Sequence, residues 1–300
     1  MSYMIITPVR NEEKSLPSLI NSVLNQTFLP FIWVLVDNGS SDLTPEILKN
    51  LENDHEFVHI IKNEYLNDAK GHFNFSKSVM KGYEHGLLIA NSNDYNLEYI
   101  AKIDADIFLP RNYFEKLIKE CNNNPKIGIA SGKMYNLEYE KFNGLKEDER
   151  FVLADEIPAY YGDEIPDERI YRQNFLNEVG GFPISLYSPD TILLAKARIN
   201  GWIIKDFEEL IFYHIIESTE VRKLWEKSEI TGESKYYLNY HPLLLIGSAL
   251  YMLPKKPFYP AIAMIYGYIK SHITKKAKIS DPRLREYYWK TRMKEVLSIF

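Results

Sequence analysis

The sequence predicts an α/β fold: a mostly parallel sheet with helices on both faces, followed by an α-helical C-terminal extension. Two observations carry the first part. Short apolar runs alternate with amphipathic stretches through the first 135 residues. Runs such as Phe31–Val36 are continuously apolar, as strands covered on both faces must be. A third observation carries the extension: from about Val221 onward the pattern is helical.

In chain order, Met4–Val9 reads as the first strand, Ser15–Asn25 as a helix and Phe31–Val36 as the second strand. A helix over Thr44–Leu51 follows, with Thr44 as N-cap and Pro45 at its first position, where a missing N–H does no harm. Phe57–Ile61 is a third strand, Phe75–Ala90 a helix and Tyr99–Ile103 a fourth strand. Asn112–Cys121 is then helical and Ile127–Ser131 a fifth strand. Residues 137–172, acidic and rich in Tyr, Pro and Gly, read as an irregular connection. Gly180-Gly181-Phe182-Pro183 precedes a helix over roughly Thr191–Ile199, with Pro189-Asp190 at its start. One domain is expected over residues 1–218, with halves 1–135 and 136–218, and a helical region over 219–300.

Composition narrows the partners. With 300 residues, 45% apolar and 26% charged, the chain buries a sizeable core. The formal charge of −5 argues against nucleic acid as a partner. Cys121 is the single cysteine, which excludes a disulfide framework and a cysteine-built zinc site. No basic segment precedes the apolar run at Tyr3, so no signal peptide is expected and the chain is placed in the cytoplasm.

The charge is unevenly spread. Residues 241–300 hold 11 Lys and Arg against 3 Asp and Glu, leaving 25 against 38 for residues 1–240. The same tail holds the two most apolar stretches, His241–Leu253 and Phe258–Ile269, divided by Pro254-Lys255-Lys256-Pro257. Each is shorter than the roughly 20 residues that a bilayer crossing needs. They form either a helical hairpin in a membrane interface or a hairpin buried against the main domain. In the first case Lys255, Lys256, Lys270, Lys275, Lys276 and Lys278 meet anionic headgroups. The charge asymmetry favours that case, with the chain peripherally attached to the inner face of the cell membrane.

Parallel sheets bind ligands beyond the carboxyl ends of their strands. There the chain carries Arg10-Asn11-Glu12-Glu13, then Asp37-Asn38-Gly39-Ser40-Ser41-Asp42, then Asp104-Ala105-Asp106. Carboxylates two residues apart at a strand end point to the same side, and close like charges call for a cation. Hard oxygen ligands suit Mg²⁺ or Mn²⁺, which share substrate phosphate oxygens. The same pair also suits a polar turn, but its place after an apolar strand favours the cation. Asp37, last on its strand, is placed to accept from a ribose hydroxyl or base edge; an ordinary strand–turn–helix junction is the alternative. The phosphate-binding loop and the dinucleotide glycine fingerprint are both missing. The phosphates of a bound nucleotide would therefore rest on a metal and on side chains.

Ile6–Glu13, Val36–Asp42 and Ile103–Asp106, in this order and spacing, resemble the nucleotide-sugar-binding half of family 2 glycosyltransferases. Gly180-Gly181-Phe182 followed by Asp190 resembles that family's acceptor-side segment, so the likeness covers roughly residues 3–215. It implies the GT-A fold, a Rossmann-like arrangement. It also implies metal-dependent, inverting transfer of a sugar from a UDP- or GDP-type nucleoside-diphosphate sugar to a hydroxyl of a glycan or lipid-linked glycan. By this resemblance Thr7, Pro8, Arg10 and Glu12 line the base and ribose pocket. Asp37 contacts the nucleoside beside Asn38, where the family more often has a second Asp. Asp104 contacts the ribose or the metal, Ala105 follows it, and Asp106 holds the metal that bridges the diphosphate. Lys70 and Lys77, in Lys70–Lys77, fall where family members have a loop before a helix. They are candidates for diphosphate or base contacts, or else solvated helix-end lysines.

Asp190 matches the family's general base, with Pro189 where members usually have another carboxylate. As the start of a helix it also suits an N-cap. His214 lies where many GT-A enzymes carry a third metal ligand, with a structural histidine as the alternative. Trp202 either supports the acceptor or packs in the core. The processive-synthase signature Gln-X-X-Arg-Trp is absent, which disfavours long-polymer synthesis. His241-Pro242-Leu243 and Asp281–Arg285 resemble the tail of some membrane-associated members.

Three other functions fit parts of this pattern. A polyprenyl-phosphate acceptor is already anionic and needs no base. A non-catalytic, membrane-anchored nucleotide-sugar binder would leave Asp104, Asp106 and Asp190 without a joint purpose. A sugar-1-phosphate nucleotidyltransferase needs a glycine-rich loop with Arg and Lys after the first strand, which Arg10–Glu13 is not.

Overall fold

The apolar runs pair into an eight-stranded sheet in a computed structural model, which describes residues 2–64, 71–145, 166–216, 224–253 and 257–297. The strands are β1 (Tyr3–Val9), β2 (Ile32–Asp37), β3 (Val58–Lys62), β4 (Tyr99–Lys102), β5 (Ile107–Phe108), β6 (Ile127–Glu138), β7 (Arg169–Arg172) and β8 (Ile203–Ile216). Their order is β3-β2-β1-β4-β7-β6-β8-β5. β3, β2, β1 and β4 run parallel. The second half is mixed: β7 is antiparallel to β4 and β6, β6 is parallel to β8, and β5 is antiparallel to β8. The expected parallel order thus holds for β3-β2-β1-β4 and gives way to mixed pairing beyond β4.

Both faces of the sheet are covered, and strand parity sorts the core. Tyr3, Ile5, Trp33 and Leu35 pack with α1 (Leu16–Leu24), α2 (Thr44–Asp54) and α4 (Tyr113–Asn123). Met4, Ile6, Val34 and Val36 pack with α3 (Gly71–Ser92), α6 (Gln173–Val179) and α7 (Pro189–Ile199). Neither strand has a polar face, which is why each reads as a continuous apolar run. Helix α3 lies unusually close to β1. A β-carbon on Gly82 would sit 2.7 Å from Ile6 Cγ2, and one on Gly86 would sit 2.5 Å from Met4 Sδ.

Two sequence expectations are corrected. Thr44 is the first residue of α2 rather than its cap; Leu43 precedes it, and the Thr44 hydroxyl is engaged elsewhere. The segment 137–172 is only partly irregular. β6 runs on to Glu138, the short helix α5 covers Tyr139–Gly144, and β7 occupies Arg169–Arg172. Residues 146–165 lie outside the described residues. β6 outruns its apolar signal because β8 pairs with it as far as Glu138, carrying Lys133 and Asn136 into the ladder.

The chain divides into two compact units, Met1–Ser218 and Thr219–Phe300. The second contains α8 (Leu224–Tyr237), α9 (Pro242–Met252), α10 (Tyr259–Ile273), α11 (Pro282–Glu286), a π-helical turn (Tyr287–Thr291) and α12 (Arg292–Leu297). Among the described residues, no helix is long and apolar enough to cross a membrane. Helices α8 and α10 touch backbone to backbone. A β-carbon on Gly232 would lie 1.9 Å from Met264 O, and one on Gly267 would lie 2.1 Å from Glu229 O. Gly232→Ala should therefore force this helix pair apart and destabilise the second unit by about 3 kcal/mol. A lowered denaturant midpoint for the second unit is the expected result.

Candidate active site

Because β2, β1 and β4 are parallel neighbours, the polar turns that follow them converge at one edge of the sheet. The first two turns are laced together. Asn11, at φ 56°, accepts at Oδ1 from Ser41 N (2.9 Å), and its own N donates to Ser40 Oγ (3.0 Å). Glu12 N donates to Thr44 Oγ1 at 2.8 Å, and Asp37 Oδ1 accepts from Ser40 N at 2.9 Å. Gly39, at φ 74°, supplies the left-handed residue that this turn needs. Asn38 Oδ1 accepts from Asn63 Nδ2 at 3.0 Å, a bond that a carboxylate at this position would also make.

Two clefts open here. One, of about 300 Å³, is lined by Pro8, Arg10, Glu12, Asn38, Phe75, Asp104, Ala105 and Asp106. The other, of about 960 Å³, lies beyond β2 and β3 and is lined by Asp37, Ser40, Lys62, Glu64, Lys77 and Lys81 among others. Burial pushes the Glu12 carboxyl up to about 7; its hydrogen bond with Ser15 opposes this, and the charges of Asp106, Asp104 and Asp42 add to it. The first cleft is thus an anionic concavity that a cation would relieve.

Lys102, 1% exposed on β4, sits behind this cleft with Nζ 3.2 Å from Asp104 Oδ1. Nζ also lies 5.0 Å from the centre of the Phe75 ring. Burial alone would lower the pKa of this lysine. The carboxylates of Asp104, Asp190, Glu168 and Asp167 outweigh it and hold the ammonium well above the usual lysine range. For Asp104, burial raises the pKa and Lys102 opposes it.

Asp106 faces a histidine supplied by a distant strand. Sheet pairing sets His214 opposite both Ile107 and Asn136. His214 Nε2 lies 3.0 Å from Asp106 Oδ2, and Nδ1 lies 3.0 Å from Asn136 Oδ1. Burial pulls the imidazole pKa down, but the hydrogen bond and charge of Asp106 leave it raised. With an ion in place of the Nε2 proton and Nδ1 donating to Asn136, neutral His214 would offer Nε2 beside a carboxylate oxygen of Asp106, a donor pair that fits Mn²⁺ or Mg²⁺. Among the described residues, no three His, Cys, Asp or Glu side chains gather as a metal site. An ion held by Asp106 and His214 would complete its shell with water or phosphate oxygens.

Asp190 lies in the first turn of α7, whose N-cap is Ser188 at φ 41°. The N-cap reading of Asp190 is therefore corrected. Its approach is fixed from both sides. Ser185 N donates to Ser76 Oγ at 3.0 Å and Ser76 Oγ to Ser185 O at 3.1 Å, docking the preceding loop on α3. Asp190 Oδ1 is 3.8 Å from an Arg169 guanidinium nitrogen, and Arg169 is 2% exposed. Burial, with Asp167 and Asp104, pushes the Asp190 carboxyl up to about 6 against the opposing Lys102 and Arg169 charges. Asp190 feels both Lys102 and Asp104, so the start of α7 shares the site at the end of β4.

Pro8, Arg10, Glu12, Asn38, Asp104, Ala105 and Asp106 line the smaller cleft, and Asp37 and Lys77 line the larger. Thr7 lines neither. It is fully buried under the cleft, where Oγ1 accepts from Trp33 Nε1 at 3.0 Å. Lys70 lies outside the described residues. Trp202 packs on Phe175 with ring centres 6.0 Å apart, which is the core reading of that residue. Sequence reasoning missed Lys102, Glu168, Arg169 and Asn136. Lys102 had a signal: a lysine inside the apolar run Ile100–Ile103 requires a buried anion.

The sequence profile of Glycosyl transferase family 2 matches residues 4–180. The chain belongs to this family. Among curated relatives, the undecaprenyl-phosphate 4-deoxy-4-formamido-L-arabinose transferase of Photorhabdus laumondii is 32% identical over 118 residues, 38% of this chain and 32% of that protein. The chain thus matches about a third of that relative's length. Among solved structures, S. aureus TarS 1–349 in complex with UDP-GlcNAc superposes with a TM-score of 0.53 at 16% identity, over 99% of this chain and 78% of that one. The mannosyltransferase PcManGT of Pyrobaculum calidifontis, in complex with GDP-Man and Mn²⁺, superposes with a TM-score of 0.54 at 15% identity, over 99% and 80%. These likenesses establish the GT-A fold.

Proposed function

We propose that this family 2 chain is a metal-dependent, inverting glycosyltransferase. It moves a sugar from a UDP- or GDP-type donor to a hydroxyl of a glycan or lipid-linked glycan. One observation carries the reading: Asp190, a half-buried carboxylate raised to about 6, interacts by charge with Asp104 and Lys102 beside the cleft that Asp104 and Asp106 line, where His214 meets Asp106.

Asp37 accepts from nucleoside hydroxyls, and Lys77, with Lys62 and Lys81 beside it, balances donor charge in the larger cleft. Asp106 and His214 would hold a divalent metal, and Mn²⁺ or Mg²⁺ there would supply neutralisation of the charge on the departing nucleoside diphosphate. Asp190 takes the proton of the acceptor hydroxyl as that oxygen attacks the anomeric carbon from the face opposite the leaving group. The new C–O bond forms as the bond to the diphosphate breaks, and its electron pair leaves with the diphosphate. Lys102 and Arg169 are positioning residues that hold the carboxylates in place.

A second reading, transfer to a polyprenyl phosphate, is favoured by the undecaprenyl-phosphate transferase relative. That acceptor is already anionic, so Asp190 would have no proton to remove.

Chromatography of the nucleoside diphosphate released from UDP- and GDP-sugars, with Mn²⁺ and with candidate acceptors, tests the proposal. Release with one base, lost on chelation, is expected. Release that persists after chelation would contradict it.

A further inference from the structure

We propose that the α9–α10 hairpin is a docking surface for an anionic bilayer and lies in the headgroup region of one leaflet. The inference concerns the second unit alone and does not rest on the transfer chemistry.

The hairpin has a filled inner face and an unfilled outer one. Leu245, Ala249, Ala261 and Met264 pack together inside it. On α10, Phe258, Ile262, Tyr266, Ile269 and Ile273 recur every three or four residues, and each is 47–73% exposed. On the other helix Leu243, Ile246, Leu250 and Leu253 do the same at 45–60%. Each set forms one stripe, because residues three and four apart share a helix face. Contiguous apolar patches of this kind are rare on surfaces that stay in water.

Three observations select a bilayer as the occupant. The helices have 11 and 15 residues, short of the roughly 20 that span a membrane, so they suit shallow burial. Trp225, itself 42% exposed, lies 6.5 Å from the Tyr259 ring and 6.3 Å from the Tyr266 ring. Indole and phenol groups beside an apolar stripe are what a membrane–water interface favours. The charge also matches: residues 219–300 carry 15 Lys and Arg against 7 Asp and Glu.

The structure also ranks these forces. Lys270 is paired with Glu229 at 2.8 Å and Lys276 with Glu233 at 2.6 Å, while Lys278 donates to Asn239. Lys255 and Lys256 lie outside the described residues. Part of the basic charge is thus answered within the unit, and apolar burial is the larger driver.

Flotation of the full chain with vesicles of phosphatidylcholine, with and without about 30% phosphatidylglycerol, tests this. Binding to the anionic vesicles is expected, weakened but not abolished by high salt. Ile262→Asp with Ile269→Asp should lower binding by about tenfold or more with unchanged melting. Leu243→Asp with Leu250→Asp on the other stripe should do the same and serves if the first pair fails to fold. A parent chain that ignores anionic vesicles, or aspartate variants that float like the parent, overturns the proposal. So does a parent dimer that these variants split into monomers without any vesicle binding, which would make a second copy the occupant.

Discussion

Asp190→Asn is expected to lower turnover on a hydroxyl acceptor by about two to four orders of magnitude while leaving donor affinity unchanged. The asparagine keeps the shape of the side chain but cannot take the acceptor proton. With the parent carboxyl at about 6, the rate should rise about tenfold per pH unit below that value and level off above it. The variant should lose this limb of the profile. Stability moves the other way. The folded pKa of Asp190 is raised above its ordinary 3.8, so ionisation of the unfolded chain withdraws stability as pH rises from about 4 to about 6. The variant escapes this loss and should melt no lower than the parent at neutral pH, which separates lost chemistry from lost fold. Full turnover in the variant would move the acceptor assignment to a polyprenyl phosphate.

Lys102→Met carries the largest expected effect on stability, a loss of about 3–5 kcal/mol in urea unfolding. Lys102 is 1% exposed, and its ammonium is the cation beside Asp104 and near Glu168. Methionine fills the same volume but leaves the half-buried Asp104 and the buried Glu168 without their cation. Adding Asp104→Asn removes one of the stranded charges, so the double variant should regain part of the loss. If Lys102→Met unfolds like the parent, this cluster is not held by the lysine.

The parallel strands were legible because burial on both faces leaves β1 and β2 almost wholly apolar, with Thr7 the one polar residue inside β1 and Asp37 ending β2, and the residues just beyond their carboxyl ends inherit the site. Strand parity was legible but unused. Thr7 shares the face of Tyr3 and Ile5, which packs on Trp33, and so points into the core rather than the cleft. The long-range pairings were not legible. His214 meets Asn136 and Asp106 only through the β6–β8 and β5–β8 ladders, across 78 and 108 residues of chain. Arg169 reaches Asp190 because β7 inserts antiparallel between β4 and β6, and no local pattern announces that insertion.

A thermal-shift series with UDP, GDP, CMP and dTDP, each with and without Mn²⁺, tests the donor site most directly. One diphosphate is expected to raise the Tm by several degrees at about 100 times its Kd, only with the metal present. Asp106→Ala should abolish that rise. A flat response from folded protein, or a rise that survives in Asp106→Ala, would contradict the assignment of this cleft to a metal-bound nucleoside diphosphate.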